Sequence, residues 1–436
     1  MVFYDKITQS ALRVLDNFPV APVIIKTREN KFDQVKEAIL PFIPKIVDRV
    51  DHISAIFRPF RDMKEFSMIS AILPREVVFD LAESREVEKI FGDKIMSIVS
   101  YPTVSKDGIF TIHSGIYGDT KKITSTYYTK KLVGCDVANM KGYSGEGVKV
   151  AVIDTGAAKT HPMLRYTICE SVMITTKDGN GHGTWCCSCV FGRYSEDTRL
   201  TDRPIPCEGM APRATGISIK ALGHLIGTGS TSGILDAINI AYGRFSVDVI
   251  SMSLGGKCEE NRPEDDPYYH VFERIVDMGI IPVVAAGNSG PGENTISTPG
   301  CLPNVLTVGA YDPIVGEIAR FSSRGPTNWG DIKPDCVAPG VNIHSATNGL
   351  LDKAGDNKIN RYSPLSGTSM ATPHIAGLVC LMKQAYVLNL GKNLTLYEIK
   401  RMLKELGHEK NNTDGYGPMT WSMFEHWMET EYGIKI

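Results

Sequence analysis

The sequence has no apolar run of the roughly 20 residues that a membrane-spanning helix needs. Its first residues carry charges at Asp5, Lys6, Arg13 and Asp16, so they lack the uninterrupted apolar core of a secretory signal. It also lacks a surplus of either charge, because 47 Lys and Arg against 49 Asp and Glu give a formal net charge of −2. Nucleic acids and membrane surfaces usually require a basic surplus or a large apolar face. We therefore expect neither of them as a partner.

Ten cysteines are present, and free, buried thiols are typical of reducing compartments. Together with the missing signal they favour a cytoplasmic location, with secretion after removal of a leader as the alternative. The 436 residues and the 42% hydrophobic content are those of an ordinary globular protein with room for two or three domains.

The first 110 residues predict a small α+β domain. Apolar runs at residues 21–26, 54–57, 68–72 and 95–100 predict strands, and residues 31–40 and 75–83 predict helices. This order, strand–helix–strand–strand–helix–strand, is that of a ferredoxin-like fold. The stretch from Ser105 to about Tyr128 is rich in Gly, Ser, Thr and Lys, which indicates an exposed linker. We therefore divide the chain into a domain at 1–110, a linker at 111–128 and a larger domain at 129–436.

The larger domain alternates short apolar runs with helical patterns. The runs are apolar on both faces, which predicts strands of a mostly parallel sheet covered by helices, at residues 148–153, 216–221, 247–252, 280–286 and 305–308. Residues 232–242 and 268–278 predict helices between them. The alternation predicts a doubly wound α/β domain.

Polar residues follow three of the predicted strands, where ligands bind in open α/β sheets. Asp154-Thr-Gly follows the first strand, Ser253-Leu-Gly-Gly the third, and Gly287-Asn288 the fourth. Taken singly, Asp154-Thr-Gly is more simply a turn that ends a strand.

Two further segments carry candidate catalytic side chains. His182 stands between two glycines, where the backbone can turn tightly; alone, this could equally be a turn or a phosphate-binding loop. Ser369 falls where a predicted helix begins, so backbone N–H groups and the positive end of the helix dipole lie beside it. Such groups stabilise an oxyanion when a serine attacks a carbonyl. In isolation, Ser369 would be a helix-capping serine.

Taken together, these motifs resemble the four signatures of the subtilisin family, in the family's order. They are Val152-Ile-Asp154-Thr-Gly, Gly181-His182-Gly-Thr, Ala285-Ala-Gly-Asn288-Ser-Gly and Gly367-Thr-Ser369-Met-Ala-Thr-Pro-His. The resemblance covers residues 125–425 and implies a serine endopeptidase. Ser369 would be the nucleophile, His182 the general base and acid, Asp154 the group that orients the imidazole, and Asn288 a donor to the oxyanion.

The resemblance also implies how a polypeptide substrate binds. An extended peptide would pair with two segments on either side of it, Gly227, Thr228 and Gly229, and Ser253, Leu254 and Gly255. The pocket for the side chain before the cleaved bond would be walled by Ala285, Ala286 and Gly287 and by residues near Ser297. No acidic residue stands at its predicted base, so we expect an apolar or aromatic side chain there.

The sequence departs from the family pattern behind His182. Trp185 stands where the family usually has histidine, and Cys186, Cys187 and Cys189 follow. These thiols could hold a metal, but adjacent helix positions face different directions, so buried packing is favoured. No cofactor is expected for the chemistry. Structural calcium could bind the acidic loop from Glu259 to Asp266, although its spacing better fits a solvated loop.

By position and strand order, residues 1–110 resemble the family's propeptide, which implies a chaperone and intramolecular inhibitor whose tail lies in the cleft and is cut off within 105–128. An unrelated accessory domain is the alternative.

For the whole chain we keep two other hypotheses. One is a catalytically silent peptide-binding or regulatory protein, against which the presence of Asp154, His182, Asn288 and Ser369 argues. The other is an esterase, against which the absence of a Gly-x-Ser-x-Gly elbow argues.

Overall fold

The structure is a computed structural model. It describes residues 4–17, 20–43, 60–98, 103–104, 110–111, 124–198, 204–224, 226–348 and 361–436. The predicted strand at 54–57 and most of the predicted linker lie outside these ranges. Among the described residues, no helix combines the length and the apolar character needed to cross a membrane.

In the part of the front domain that the structure describes, the chain forms a four-stranded antiparallel sheet with three helices. The strands are β1 (Val20–Thr27), β2 (Phe60–Met63), β3 (Met68–Pro74) and β4 (Val87–Gly92), and the helices are α1 (Gln9–Asn17), α2 (Phe32–Ile39) and α3 (Arg75–Glu83). The spatial order β2-β3-β1-β4 is that of a ferredoxin-like sheet. An apolar cluster between the sheet and the helices contains Leu15, Ile25, Val35, Leu73 and Val78.

The strand that closes this sheet is not the one expected. We predicted residues 95–100 for this place, but β4 closes the sheet by pairing with β1. Glu88 and Lys89 interrupt the apolar pattern of β4, which hid this strand in the sequence. Ile95–Ile98 instead forms a separate strand, β5, whose partners belong to the larger domain.

Part of the predicted linker is ordered. Thr124–Ser125 forms β8, and Thr126–Val133 forms α4, followed by α5 (Cys135–Met140). Thr124 and Ser125 pair with Ile343 and His344 of the larger domain, so the segment 124–128 belongs to that domain and not to a linker. Two short strands, β6 (Thr103–Val104) and β7 (Phe110–Thr111), pair with each other.

The larger domain is built on a seven-stranded sheet, and the predicted α/β fold class is confirmed. Every pairing in the sheet is parallel. In spatial order its strands are β10 (Ile168–Ser171), β13 (Thr215–Lys220), β9 (Lys149–Asp154), β15 (Val249–Met252), β17 (Ile281–Ala285), β18 (Leu306–Tyr311) and β19 (Cys336–Pro339). The sequence predicted the five central strands and missed β10 and β19, the short strands at the two edges.

Helices cover both faces of this sheet. Helices α6 (His182–Phe191), α9 (Thr368–Leu390), α10 (Leu396–Leu406) and α11 (Trp421–Tyr432) enclose one apolar cluster, and α7 (Thr231–Gly243) and α8 (Pro267–Asp277) enclose the other. A capping box of Thr395 and Glu398 opens α10. The remaining strands are β11 (Ser195–Asp197), β12 (Ile205–Cys207), β14 (Thr228–Ser230), β16 (Leu254–Gly255), β20 (Ile343–Ala346) and β21 (Tyr362–Leu365).

The front sheet packs on α7 and α8 of the larger domain. Its apolar side chains Ile24, Met63, Met68 and Phe91 join the cluster that α7 and α8 form with the main sheet. Polar contacts surround this interface. Arg61 has a nearly buried side chain, and its Nη1 lies 2.7 Å from Oδ2 of Asp236 in α7. The two domains therefore share one continuous core.

Candidate active site

The predicted site residues meet at the carboxyl-terminal edge of the main sheet. Asp154 is the last residue of β9, Ser253 directly follows β15, and Gly287 lies two residues beyond the end of β17. Because parallel strands end at the same edge, residues far apart in the sequence come together there. His182 and Ser369 reach the same place from the first turns of α6 and α9.

Asp154 and His182 form a buried hydrogen-bonded pair. Nδ1 of His182 lies 2.8 Å from Oδ1 and 2.9 Å from Oδ2 of Asp154, and both side chains are fully buried. The backbone N–H of Thr155 also donates to Oδ1, at 2.7 Å, and holds the carboxylate in place. With a carboxylate as its partner, Nδ1 carries the proton, which leaves Nε2 of the neutral ring as an acceptor. Among the described residues, Nε2 has no hydrogen-bond partner.

Ser369 lies beside this pair in the first turn of α9. Its Oγ donates to the carbonyl of Ser253 at 3.1 Å, and Oγ of Ser253 donates to the carbonyl of Ser369 at 2.9 Å. In this conformation the hydroxyl therefore bonds to Ser253 and makes no hydrogen bond to Nε2 of His182. The hydrogen bond between a nucleophilic hydroxyl and its general base is often long or unformed before a substrate binds.

The side chain of Asn288 is fixed by the residue before the serine. Its Oδ1 accepts from both the N–H and the Oγ1 of Thr368, each at 2.9 Å. Because Oδ1 is held in this way, the side-chain NH₂ group occupies the other branch of the amide. Asn288 and Ile98 both line an open cavity, which is described below. It can therefore present a donor to a group bound there.

Glycine is required on both sides of His182. Gly181 has a φ of +103°, and a Cβ there would lie 1.9 Å from the carbonyl oxygen of Asn348. A Cβ on Gly183 would lie 2.3 Å from the carbonyl oxygen of Gly156. Either side chain would displace backbone, so Gly181 lets the loop carrying His182 approach the segment after β20, and Gly183 lets it approach the loop after β9.

Asp178 is a positioning residue that the sequence analysis missed. Its buried carboxylate accepts from Oγ1 of Thr155 at 3.0 Å, from the N–H of Gly181 at 2.9 Å and from the N–H of Thr184 at 2.9 Å. These bonds join the loop that carries Asp154 to the start of the helix that carries His182. The only signal in the sequence was an acidic residue four positions before His182.

The thiols behind His182 are packed in the core. Cys186 lies 3.8 Å from Nδ1 of His182 and 3.8 Å from the carbonyl of Ser369. Within the described ranges, Asp154, His182 and Cys186 form the one group of three potential metal ligands close to one another. Burial, together with the carboxylate of Asp154, raises the pKa of the Cys186 thiol well above its ordinary value. The other two members of the group, Asp154 and His182, are already bonded to each other through Nδ1 and both carboxylate oxygens, which agrees with packing rather than with a metal site.

Trp185, the residue that departs from the family pattern, is fully buried. Its indole N–H donates to the carbonyl of Ser363 at 3.2 Å. All ten cysteines are free thiols in this structure.

The two predicted peptide-binding segments enclose an extended strand of the chain itself. β5 is the middle strand between β14 and β16, and both pairings are antiparallel. Ser97 lies opposite Thr228 on one side and Gly255 on the other. The N–H of Ile98 donates to the carbonyl of Gly227 at 3.0 Å. The front domain thus places one of its own strands in the cleft between these two segments.

A cavity of about 760 Å³ opens beside this strand. The predicted Ser297 lines it, together with Asn288, Gly255, Ile98 and Glu259. The predicted walls Ala285, Ala286 and Gly287 do not line it, because they are buried at the end of β17, where Ala286 packs against Ile296 and Cys301. Glu259 adds an acidic group to the lining, which the sequence did not lead us to expect.

The acidic loop does not fit a calcium site in this arrangement. Glu260 pairs with Lys94 at 3.1 Å, and Asp265 pairs with Lys89 and with Arg262. Oδ1 of Asp266 caps α8 by accepting the N–H of Tyr268 at 3.0 Å. Glu260, Asp265 and Asp266 are therefore engaged, the first two of them with cations. Calcium elsewhere in the chain stays a prediction.

Comparison with known proteins gives a family match over most of the larger domain. A model described as "Subtilase family" matches residues 145–417. The front domain lies outside this match.

Three curated relatives illustrate the likeness. Serine protease AprX of Bacillus subtilis (strain 168) is 37% identical over 290 residues, which are 62% of this chain and 63% of that protein. The major intracellular serine protease of the same organism is 34% identical over 256 residues, 56% of this chain and 70% of that protein. Subtilisin Savinase of Lederbergia lenta is 33% identical over 288 residues, 65% of this chain and 92% of that protein. The chain thus spans less than two thirds of AprX.

Proposed function

This chain belongs to the subtilase family of serine peptidases, and on that premise we propose that it is a serine endopeptidase that cleaves extended polypeptides through an acyl-enzyme. The observation that carries the proposal is the strand in the cleft. β5 pairs on both sides with segments of the larger domain, one of which directly follows Ser253, so the cleft accepts a polypeptide backbone in extended form.

The proposed chemistry follows from the side chains at the sheet edge. A small rotation of the Ser369 side chain exchanges its bond to Ser253 for one to Nε2 of His182, which then accepts the hydroxyl proton as Oγ attacks the carbonyl carbon. Asp154 stabilises the resulting imidazolium through Nδ1. The side-chain amide of Asn288 and the N–H of Ser369 donate to the oxyanion. His182 then protonates the leaving amine, and water hydrolyses the acyl-enzyme by the same steps.

A serine-directed reagent tests this proposal. A sulfonyl fluoride should inactivate the chain with one label, at Ser369, because only a serine beside a general base reacts readily. The measurements are hydrolysis of an unfolded polypeptide and peptide mapping by mass spectrometry. Labelling at another serine, or full activity after complete labelling of Ser369, would contradict the assignment. A folded protein as substrate serves as the comparison, since a cleft that binds extended chains should cleave it far more slowly.

We further propose that residues 1–98 act as an intramolecular inhibitor that is removed by self-cleavage. The support is the position of β5, which occupies the cleft in the manner of a substrate, and the packing of the front sheet on α7 and α8. Asp93 adds to it, since its Oδ1 accepts the N–H of Ser232 at the start of α7 at 2.9 Å. The front domain thereby stabilises a helix of the peptidase.

The register of β5 supports a cut closer to the front domain than the sequence indicated. Ile98 is already opposite Leu254. The residue before Leu254, Ser253, is hydrogen-bonded to the candidate nucleophile Ser369. We therefore expect the new N-terminus at Ser100 or Tyr101 rather than within 105–128. N-terminal sequencing of the processed protein decides between the two. A first residue beyond Ser105 would show that β5 is not the bound product strand.

We also propose a cytoplasmic location and a reaction that requires no cofactor. The relative named as an intracellular protease supports a cytoplasmic location, as do ten free cysteines. The proposed chemistry uses side chains alone. Polypeptides are the proposed substrates, and the front domain is the proposed internal partner.

A further inference from the structure

The substrate-like pairing in the cleft extends one residue beyond β5, to Lys94. The N–H of Thr231 donates to the carbonyl of Lys94 at 2.9 Å, directly after the pair of Ser230 with Ile95. The backbone from Lys94 to Ile98 is therefore held in one register by the peptidase domain. Any extended polypeptide that binds in the same register places a residue where Lys94 now lies.

The side chain of Lys94 enters an acidic site. Its Nζ lies 3.1 Å from Oε1 of Glu260 and 4.0 Å from Oε2 of Glu259. The site is partly closed, because the side chains of Lys94 and Glu260 are only 18% and 3% exposed. Burial opposes the charged form of Lys94, but the carboxylates of Asp266, Glu260 and Glu259 outweigh it and raise its pKa. The site therefore favours a cation.

A second cation of the front domain reaches the same site. Nη1 of Arg13, on α1, lies 3.5 Å from Oε1 of Glu259. The peptidase domain contributes the highly exposed Lys257, 3.7 Å from the same atom. When the front domain leaves, Glu259 and Glu260 lose Arg13 and Lys94. Of these three cations only the highly exposed Lys257 then remains, so the negative charge of the two carboxylates attracts a new cation.

We propose that Glu259 and Glu260 form a subsite for the side chain of lysine or arginine in a substrate, at the position four residues before the one that takes the place of Ile98. The inference rests on the proposed peptidase function and names a feature of its substrates. The front domain holds the subsite with its own lysine until it is released.

Matched peptides test this without changing the protein. The probe copies residues 93–103 of the chain and carries a fluorophore and a quencher at its ends, and two variants replace its lysine with glutamine or with arginine. With the wild-type chain after processing, we expect kcat/KM to fall about tenfold for glutamine, the effect of one lost charge-assisted hydrogen bond. Arginine should support cleavage about as well as lysine. Residual front domain lowers all three rates alike and leaves their ratios unchanged.

Enzyme variants locate the effect. Glu260→Gln should bring the lysine-to-glutamine ratio close to one. Glu264→Gln is the matched control: it removes the same charge from an exposed position of the same loop and should keep the ratio. Because Glu260 is buried, Glu259→Gln provides a second variant and should lower the ratio in part. High salt should shrink the preference of the wild-type enzyme.

The outcomes separate the subsite from the peptidase. Cleavage of all three peptides at equal kcat/KM would reject the subsite and leave the endopeptidase intact. A preference for lysine that survives in both Glu259→Gln and Glu260→Gln would likewise overturn the assignment to these residues. Failure to cleave any of the peptides or an unfolded polypeptide would overturn the proposed function and the subsite with it.

Discussion

Replacing Ser369 with alanine is expected to lower kcat for peptide hydrolysis by about 10⁶, the loss that removal of the nucleophile causes in a subtilisin. The change deletes the one atom that forms the acyl bond, and the hydroxyl of Ser253, which donates to the carbonyl of Ser369, cannot replace it. Folding should be preserved, because the change removes one oxygen atom and the hydrogen bond that it donates to the Ser253 carbonyl. The measurements are the rate of peptide hydrolysis and the thermal unfolding midpoint.

The same variant should also remain one uncut chain after purification, whereas the wild type should yield two fragments. Ser422→Ala is the matched control, since it removes an exposed hydroxyl from the last helix and should change neither activity nor processing. If Ser369→Ala is cut at the wild-type position, the front domain is removed by another protease. If it still hydrolyses peptides at the wild-type rate, the protein is not a serine peptidase.

The sequence was sufficient for the fold class and for the convergence of the candidate site. Both depend on local patterns: runs that are apolar on both faces require a covered parallel sheet, and the polar residues after such runs meet at one edge. Asp154 and Asn288 follow such runs, whereas His182 and Ser369 were selected because their motifs resemble those of the subtilisin family.

The sequence was not sufficient where the choice of partner decides the structure. Residues 95–100 were predicted to close the front sheet and residues 87–92 were not predicted as a strand, but the tertiary fold places 95–98 in the cleft and 87–92 in the front sheet. For the same reason Glu259 could not be placed beside Arg13, since the two are far apart in the sequence and meet across two domains. The role of Asp178 depends on donors from several loops, which no spacing rule describes.

Replacing Asp154 with asparagine is expected to lower kcat by about 10⁴ at neutral pH, with KM nearly unchanged. The shape of the side chain is kept, but one of its two acceptor atoms becomes a donor. The N–H of Thr155, 2.7 Å from Oδ1, requires an acceptor there. The new NH₂ group must then take the place of Oδ2, 2.9 Å from Nδ1 of His182.

An NH₂ group at that place forces Nδ1 to become the acceptor, so the neutral imidazole carries its proton on Nε2. That nitrogen can no longer accept the hydroxyl proton of Ser369, and no carboxylate remains to stabilise an imidazolium. Because Asp154 is fully buried behind His182 and does not line the cleft, binding of the substrate should be spared, and the loss should fall on kcat. Asp277→Asn, at the exposed end of α8, is the control for the same chemical change. A loss of less than tenfold in Asp154→Asn would mean that the carboxylate does not set the tautomer of His182.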